Sequence, residues 1–213
     1  MSDLVMKSSM VRSFGNMHEF IVNEVEQKDW EEISILAEEW SLLANRKHQH
    51  GGGSIFTESS AISFFALGRI ECALDKEKDV RLEERGESWD TILVCKDRAT
   101  MKAQSFALYD KKKNSLLYLV THPDNIRDRI NERLVAKVQG AGTAVILHLA
   151  GETVRADGLP LTLSSVLSAK QFYKKLSFDE GGATVDGKCV RMTLTVEKIR
   201  RLITKGIHPF HQL

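Results

Sequence analysis

The sequence predicts an α/β fold in which helices flank a mixed, mostly antiparallel, twisted sheet. Short runs rich in β-branched and aliphatic residues, typical of strands, alternate with segments whose apolar residues recur every three or four positions, typical of amphipathic helices. Residues 91–121 contain three consecutive strand patterns separated by short turns, which predicts an antiparallel meander. The charged segment 75–90 could be mistaken for a domain linker, but neither of its flanks has enough strands or helices to close a core alone. We therefore expect one domain over residues 20–213, preceded by an N-terminal extension over residues 1–19.

In chain order, the patterns predict a strand over 20–25, a helix over 30–45, a second helix over 57–72, strands over 91–95, 101–110 and 115–121, a helix from 143 to about 150, a strand over 159–163, a helix over 168–176, a strand over 188–195 and a helix over 196–205. Asp29 and Glu32 form a capping-box pattern at the start of the first helix. Eleven of the sixteen residues from 75 to 90 are charged, so this segment is expected to be a loop or a solvated helix end.

The composition indicates a soluble globular protein. Hydrophobic residues make up 42% of the 213 positions, and 30 basic against 29 acidic residues leave a formal charge of +1. With this balance, the protein has no overall positive field that would attract nucleic acid or an anionic membrane. The composition does not exclude a local basic patch. No apolar run approaches the roughly 18 residues of a membrane helix, and the first twenty residues lack a secretory signal. We expect a cytoplasmic protein without nucleic-acid or membrane partners; a homodimer is left open.

The cysteines and paired histidines do not predict a metal site. Cys72, Cys95 and Cys189 are far apart and lie among apolar neighbours, which favours reduced, buried thiols over disulfides or zinc ligation. His48 and His50 precede three glycines and are expected to lie in a mobile loop.

The stretch Gln-Gly-Ala-Gly-Thr-Ala over residues 139–144 is the clearest candidate for ligand binding. Two glycines allow close backbone approach, and the apolar run that follows predicts a helix whose first N–H groups suit a pyrophosphate. The alternative is a tight turn before an ordinary helix. A dinucleotide-binding fingerprint would need another glycine at position 145, where this chain has Val145.

Together with two further patterns, this stretch resembles the GNAT superfamily of acyl-CoA-dependent N-acyltransferases. The family's phosphate loop reads Gln/Arg-x-x-Gly-x-Gly/Ala, which residues 139–144 match. Its preceding strand usually ends Leu-Ala-Val-x-Pro, and residues 119–123 read Leu-Val-Thr-His-Pro. Its later Ala-x-x-Phe-Tyr-x-x-x-Gly-Phe pattern is matched by residues 169–178, except that Ser177 replaces the glycine. The resemblance covers about residues 20–195.

The resemblance implies a GNAT-like fold, acetyl-CoA as co-substrate, no metal, and direct transfer of an acetyl group to a primary amine within a ternary complex. It implies that the cofactor enters between the strand ending at Thr121 and the strand ending at Leu163, with a backbone N–H near Val120 polarising the thioester. The cofactor-binding residues that it implies are Leu119, Val120, Thr121, Gln139, Gly140, Ala141, Gly142, Thr143, Ala144, Ser168 and Phe172.

Tyr173 and His122 are the candidate catalytic residues. Tyr173 matches the family position of the acid that protonates the leaving thiolate, although a tyrosine beside Phe172 could simply pack in a core. No acidic residue lies between 115 and 122, so His122 is the best available base; an exposed turn histidine before Pro123 is the alternative.

The chain departs from the family pattern at two places, and the first, together with the lack of an obvious glutamate base, motivates a second candidate function. Val166 stands where the family has an asparagine, whose hydrogen bond would have to come from Ser164, Ser165 or Ser168 or be missing. Residues 124–138 are an insertion, expected either as a flap over the cofactor cleft or as a surface excursion. The alternative function is a catalytically degenerate domain that binds acyl-CoA or a protein partner. A third hypothesis makes the charged segments 75–90 and 124–138 a docking surface for a protein or tRNA substrate.

Overall fold

The computed structural model describes residues 8–13, 16–50, 66–70, 91–125, 138, 140–155, 158–185 and 187–204. The elements are β1 (Ser8–Ser13), β2 (Asn16–Glu24), α1 (Trp30–His50), β3 (Thr91–Asp97), β4 (Ala103–Asp110), β5 (Ser115–Thr121), α2 (Ala141–Arg155), β6 (Leu161–Val166), α3 (Lys170–Lys175), β7 (Asp179–Ala183), β8 (Cys189–Leu194) and α4 (Val196–Thr204). Residues 66–70 are also helical.

The strands form one eight-stranded sheet in the order β1-β2-β3-β4-β5-β6-β8-β7. All neighbours are antiparallel except β5 and β6, which are parallel. The predicted fold class, a mixed and mostly antiparallel sheet flanked by helices, is confirmed. The parallel pair lies at the centre of the sheet, and α2 connects its two strands.

Two hydrophobic clusters cover opposite faces of the sheet, because side chains alternate along each strand. One cluster lies between the sheet and helices α2, α3 and α4, and we call this side of the sheet the α2 face. Its buried residues include Phe20, Leu93, Ala107, Ile146, Leu149, Leu161, Met192 and Ile199. The other cluster lies between the sheet, α1 and residues 66–70, and we call this side the α1 face. Its buried residues include Ile33, Trp40, Leu67, Ile70, Ile92, Val94, Phe106 and Leu108.

Both edge strands were missed by the sequence patterns. We expected no regular element before Phe20, yet β1 pairs along its whole length with β2, so residues 8–13 and 16–19 belong to the sheet. β7 reads Asp-Glu-Gly-Gly-Ala and every residue is exposed. An edge strand with so little apolar burial has no alternating pattern; β7 is held instead by pairing with β8 and by ion pairs from its first two residues to lysines of α3 and α4.

The first helix is longer than predicted: its described part extends to His50, so His48 and His50 are helical and not in the expected loop. Of the predicted helix over 57–72, the described residues 66–70 are helical; the charged segment 75–90 lies outside the described residues.

Two of the three cysteines can be placed. Both Cys95 and Cys189 are free thiols; Cys95 is buried, and its burial raises the pKa of the thiol to about 12, while Cys189 is partly buried. Cys72 lies outside the described residues. In the described ranges, no helix combines the length and apolar character needed to cross a bilayer.

Candidate functional site

A gap opens in the middle of the sheet where β5 and β6 diverge. They pair only through Ser115 with Thr162 and Leu116 with Leu163. The ladder between β4 and β5 is irregular at the same level: Leu108 pairs with Tyr118 and Tyr109 with Leu116, which leaves Leu117 as an extra residue. Such a bulge bends a strand and sharpens its twist. Beyond the bulge, β5 continues to pair with β4 and β6 continues to pair with β8, so the two strands separate.

The backbone of β5 beyond the bulge offers N–H groups to this gap. The His122 N–H donates to the Gln104 carbonyl at 2.9 Å, and the Ser105 hydroxyl donates to the Val120 carbonyl at 2.8 Å. Because backbone groups alternate sides along a strand, the Val120 amide faces β4 and the amides of Leu119 and Thr121 face the gap. The N–H expected near Val120 is therefore best assigned to one of its two neighbours.

The glycine-rich stretch leads into α2, which begins at Ala141, two residues before the predicted start, and extends to Arg155, beyond the predicted end. Gly140 has φ of +100°, a conformation that favours glycine, and its carbonyl accepts the N–H of Ala144 at 2.8 Å. The amides from Gly140 to Thr143 precede this first helical bond and are the orphan donors of the helix start. The Ala144 amide is already used, so the amide set is one residue shorter than we expected. Gln139 lies outside the described residues.

Gly142 brings three elements together. A Cβ on this residue would lie 3.5 Å from Thr121 Cγ2, 3.7 Å from Leu119 Cδ2 and 3.7 Å from Phe172 Cζ. The first turn of α2, the free end of β5 and the start of α3 therefore meet at one point. Four of the predicted cofactor-binding residues lie there. The Val120 side chain, in contrast, is buried in the α1 face, and Ser168 is exposed.

Tyr173 lies on α3, in the α2 face. Its side chain is buried, and its ring lies 4.9 Å from that of Phe172 and 5.6 Å from that of Phe178 between centroids. Burial raises the pKa of Tyr173 well above its usual range. The phenol is therefore protonated at neutral pH, as a proton donor must be. Both of our interpretations, packing residue and acid, fit this position.

The end of α3 fixes Tyr173 through a Schellman cap. The Phe178 N–H donates to the Tyr173 carbonyl at 3.1 Å and the Ser177 N–H to the Lys174 carbonyl at 3.0 Å. Ser177 has φ of +68°. The family pattern has glycine at this position. The cap requires a residue in the left-handed conformation, which glycine adopts most easily.

His122 lies against the opposite face of the sheet. Its ring makes an edge contact with Trp40 at a centroid distance of 4.7 Å, and its Nδ1 accepts the Asp124 N–H at 3.2 Å. This hydrogen bond places the proton of a neutral imidazole on Nε2. To act as a base through Nε2, His122 must carry its proton on Nδ1 instead, so the hydrogen bond from the Asp124 N–H must first break. Next to it, the Asn125 side chain donates to Gln104 Oε1 at 2.9 Å, a polar pair that our sequence analysis missed. A single glutamine in the apolar pattern of β4 was the available signal.

Three serines were expected as replacements for the family's asparagine, and one of them is already engaged. The Ser165 hydroxyl is buried and donates to the adjacent Val166 carbonyl at 2.8 Å. Ser164 and Ser168 are exposed. Most of the insertion over 124–138 lies outside the described residues; Pro123–Asn125 forms a 3₁₀ turn. Among the residues that the structure describes, no cluster of three or more His, Cys, Asp or Glu side chains could hold a metal ion.

The solved structure of an N-acetyltransferase shares this fold. PaiA N-acetyltransferase from Thermoplasma acidophilum, solved in complex with coenzyme A, has a TM-score of 0.51 and 16% identity over 83% of this chain and 98% of that chain. A GNAT-family acetyltransferase from Listeria monocytogenes has a TM-score of 0.49 and 12% identity over 88% and 99% of the two chains. No protein-family model matches the sequence, and no curated protein sequence matches it significantly. The chain has the GNAT fold.

Proposed function

We propose that this protein transfers an acetyl group from acetyl-CoA directly to a primary amine. The observation that carries the proposal is the contact of Gly142, in the first turn of α2, with Leu119 and Thr121 of β5, where β5 pairs with β4 but no longer with β6. Orphan amides suited to a pyrophosphate thereby lie next to a strand edge suited to the peptide-like arm of coenzyme A. The coenzyme A bound to the PaiA enzyme of the same fold supports this assignment.

The backbone would supply most of the cofactor binding. Amides from Gly140 to Thr143 hold the pyrophosphate, each favourable contact with the helix dipole contributing roughly 0.3–1 kcal/mol. The amide of Leu119 or Thr121 donates to the thioester carbonyl and stabilises the oxyanion that develops there. Removing one such donor typically slows an acyl transfer by about 10²-fold or more.

Transfer needs two proton movements. The neutral amine attacks the carbonyl carbon, the C–S bond breaks, and the thiolate of coenzyme A receives the phenolic proton of Tyr173. The amine nitrogen loses its extra proton to His122 or to water, and the tyrosinate regains a proton from solvent. No covalent enzyme intermediate is required, and the buried, high-pKa thiol of Cys95 is unsuited to form one.

Steady-state release of free coenzyme A from acetyl-CoA, measured with polyamines, amino acids, aminoglycoside-like amines and peptides, tests the proposal. We expect release that depends on one class of amine and on its concentration. The matched control is the same panel with Tyr173→Phe.

The second candidate is a domain that binds acyl-CoA without turnover. It is favoured by the Ser165 hydroxyl bonding to Val166 and by the engaged Nδ1 of His122. Tight coenzyme A binding with no release on any amine would decide for it.

A further inference from the structure

Asn114 ends the turn between β4 and β5 and lies at the closed end of the gap. It precedes Ser115, which is paired with Thr162 in the first of the two residue pairs that join β5 to β6. Its carbonyl accepts the Thr162 N–H at 3.0 Å, and its φ of +48° is a left-handed conformation that asparagine tolerates better than most residues. The backbone of Asn114 therefore takes part in the junction from which the two strands diverge.

The side-chain amide of Asn114 is buried, and three parts of the chain supply its partners. Its Nδ2 donates to Thr153 Oγ1 of α2 at 2.9 Å and to the Leu159 carbonyl in the segment before β6. Its Oδ1 accepts the hydroxyl of Tyr109 from β4. Because burial raises the pKa of Tyr109 to about 12, this hydroxyl stays protonated and can donate. Both Nδ2 hydrogens and Oδ1 have partners, so the orientation of the amide is fixed.

Thr153 connects this amide to the phosphate-binding end of α2. Its hydroxyl also donates to the Leu149 carbonyl one turn earlier at 2.9 Å, so it is held within the helix. Hydrophobic packing of α2 on the sheet is non-directional, whereas these hydrogen bonds fix an orientation. The helix rises by roughly 16 Å between Gly142 and Thr153, so a tilt of roughly 4° at Thr153 moves Gly142 by about 1 Å. A displacement of about 1 Å can lower an enzymatic rate by about 10²-fold.

We propose that Asn114 is a positioning residue for cofactor binding: through Tyr109, Thr153 and Leu159 it sets the separation between the first turn of α2 and the strand edges of the gap. The inference rests on the function proposed above, in which coenzyme A contacts both Gly142 and the edge of β5. A ligand of this kind binds most tightly when its two contact regions are already held at the correct separation. Asn114 acts through its partners, because most of the length of α2 separates Thr153 from the phosphate-binding turn.

Asn114→Gly tests the amide directly. Glycine keeps access to the left-handed conformation, so the variant removes the side-chain hydrogen bonds without straining the turn. Calorimetric titration of the full chain with coenzyme A, under conditions in which urea unfolding shows the variant to be folded, should give at least about tenfold weaker binding than the parent protein. A purely structural role would lower the stability and leave the affinity of the folded protein unchanged, and that result would overturn the proposal.

Thr153 offers a matched pair of variants, which decides if Asn114→Gly does not fold. Thr153→Val keeps the shape of the side chain and removes the hydroxyl, whereas Thr153→Ser keeps the hydroxyl and removes a buried methyl. Both should lower stability, but only Thr153→Val breaks the bond to Asn114. We expect Thr153→Val to bind coenzyme A about fivefold more weakly, the loss for one hydrogen bond, and Thr153→Ser to bind it as the parent does. Equal affinities of the two variants would overturn the proposal.

A ligand-free measurement separates this inference from the proposed function. In ¹H–¹⁵N NMR spectra of the full chain without coenzyme A, Asn114→Gly and Thr153→Val should shift or broaden the amide resonance of Gly142, whereas Thr153→Ser should not. If the parent protein does not bind coenzyme A, the proposed function is wrong, and the Gly142 resonance still decides whether Asn114 positions α2. A Gly142 resonance that is the same in the parent, Asn114→Gly and Thr153→Val would overturn the inference.

Discussion

The two faces of the sheet support the candidate site in different ways. On the α2 face, the residues proposed to bind the cofactor and donate the proton lie in the first turn of α2 and on α3. Local backbone features place them: the positive φ of Gly140 and the Schellman cap at Ser177. On the α1 face, His122 is placed by Trp40, which is about eighty residues earlier in the chain. In the function that we propose, cofactor binding thus depends on short motifs, whereas the candidate base is positioned by a side chain from a distant segment.

The largest expected effect breaks the α2 face at Gly142. Gly142→Asp should eliminate measurable coenzyme A binding, because its carboxylate would oppose the pyrophosphate at the first turn of α2. A buried carboxylate will also lower stability, so Gly142→Asn, with the same shape and no charge, is the control. Titration calorimetry should show the Asn variant binding at least about tenfold more tightly. Equal affinities would mean that no phosphate lies there.

The second prediction separates catalysis from packing on the same face. Tyr173→Phe keeps the ring contacts with Phe172 and Phe178 but removes the proton. We expect turnover to fall by about 10²-fold, the low end for general acid catalysis, with coenzyme A affinity and thermal midpoint nearly unchanged. An unchanged rate would make Tyr173 a packing residue only.

The third prediction concerns Asp97, at the turn between β3 and β4, whose loss should weaken both faces alike. Burial opposes ionisation, but hydrogen bonds from Thr100, His18 and Ala99 outweigh it and lower the pKa of Asp97 below its usual value. Its stabilisation is thus present above the unfolded pKa of about 3.9 and is lost as pH falls. Asp97→Asn should cost about 2 kcal/mol at pH 7 in urea unfolding. The difference from the parent should shrink on acidification; a constant difference at every pH would contradict this account.

The fourth prediction tests the α1 face. His122→Gln should lower turnover roughly tenfold, a modest loss because water can accept the proton, and should leave coenzyme A affinity unchanged. If the rate stays the same, His122 is a turn residue packed on Trp40.

The smallest effect is expected at the cap of α3. Ser177→Gly should stabilise the fold by up to about 1 kcal/mol, because glycine adopts the left-handed conformation without the steric cost of a side chain. Urea unfolding measures the gain, and turnover should not change. A loss of stability would show that the serine side chain contributes contacts that outweigh its strain.

The sequence predicted the parts of the molecule whose structure is local. The strands of the meander, the start of α2 and the helix carrying Tyr173 follow from apolar spacing and glycine placement. β1 and β7 were missed because edge strands depend on a partner strand, which no local pattern reveals. The Trp40 contact with His122 and the Asn125 bond to Gln104 join separate segments, and their pairing depends on the sheet register. The single-domain organisation and the roles of the site residues stay predictions.

The gap between β5 and β6 divides the sheet into parts of five and three strands that share only two residue pairs. α2 spans this seam, since it contacts strands on both sides. A cofactor whose arm paired with both edges would replace the missing rungs of the ladder and join the two parts mechanically. The free energy of unfolding would then increase with the concentration of acyl-CoA, because the ligand binds only the folded sheet. The stability of the protein would thus depend on the acyl-CoA concentration around it.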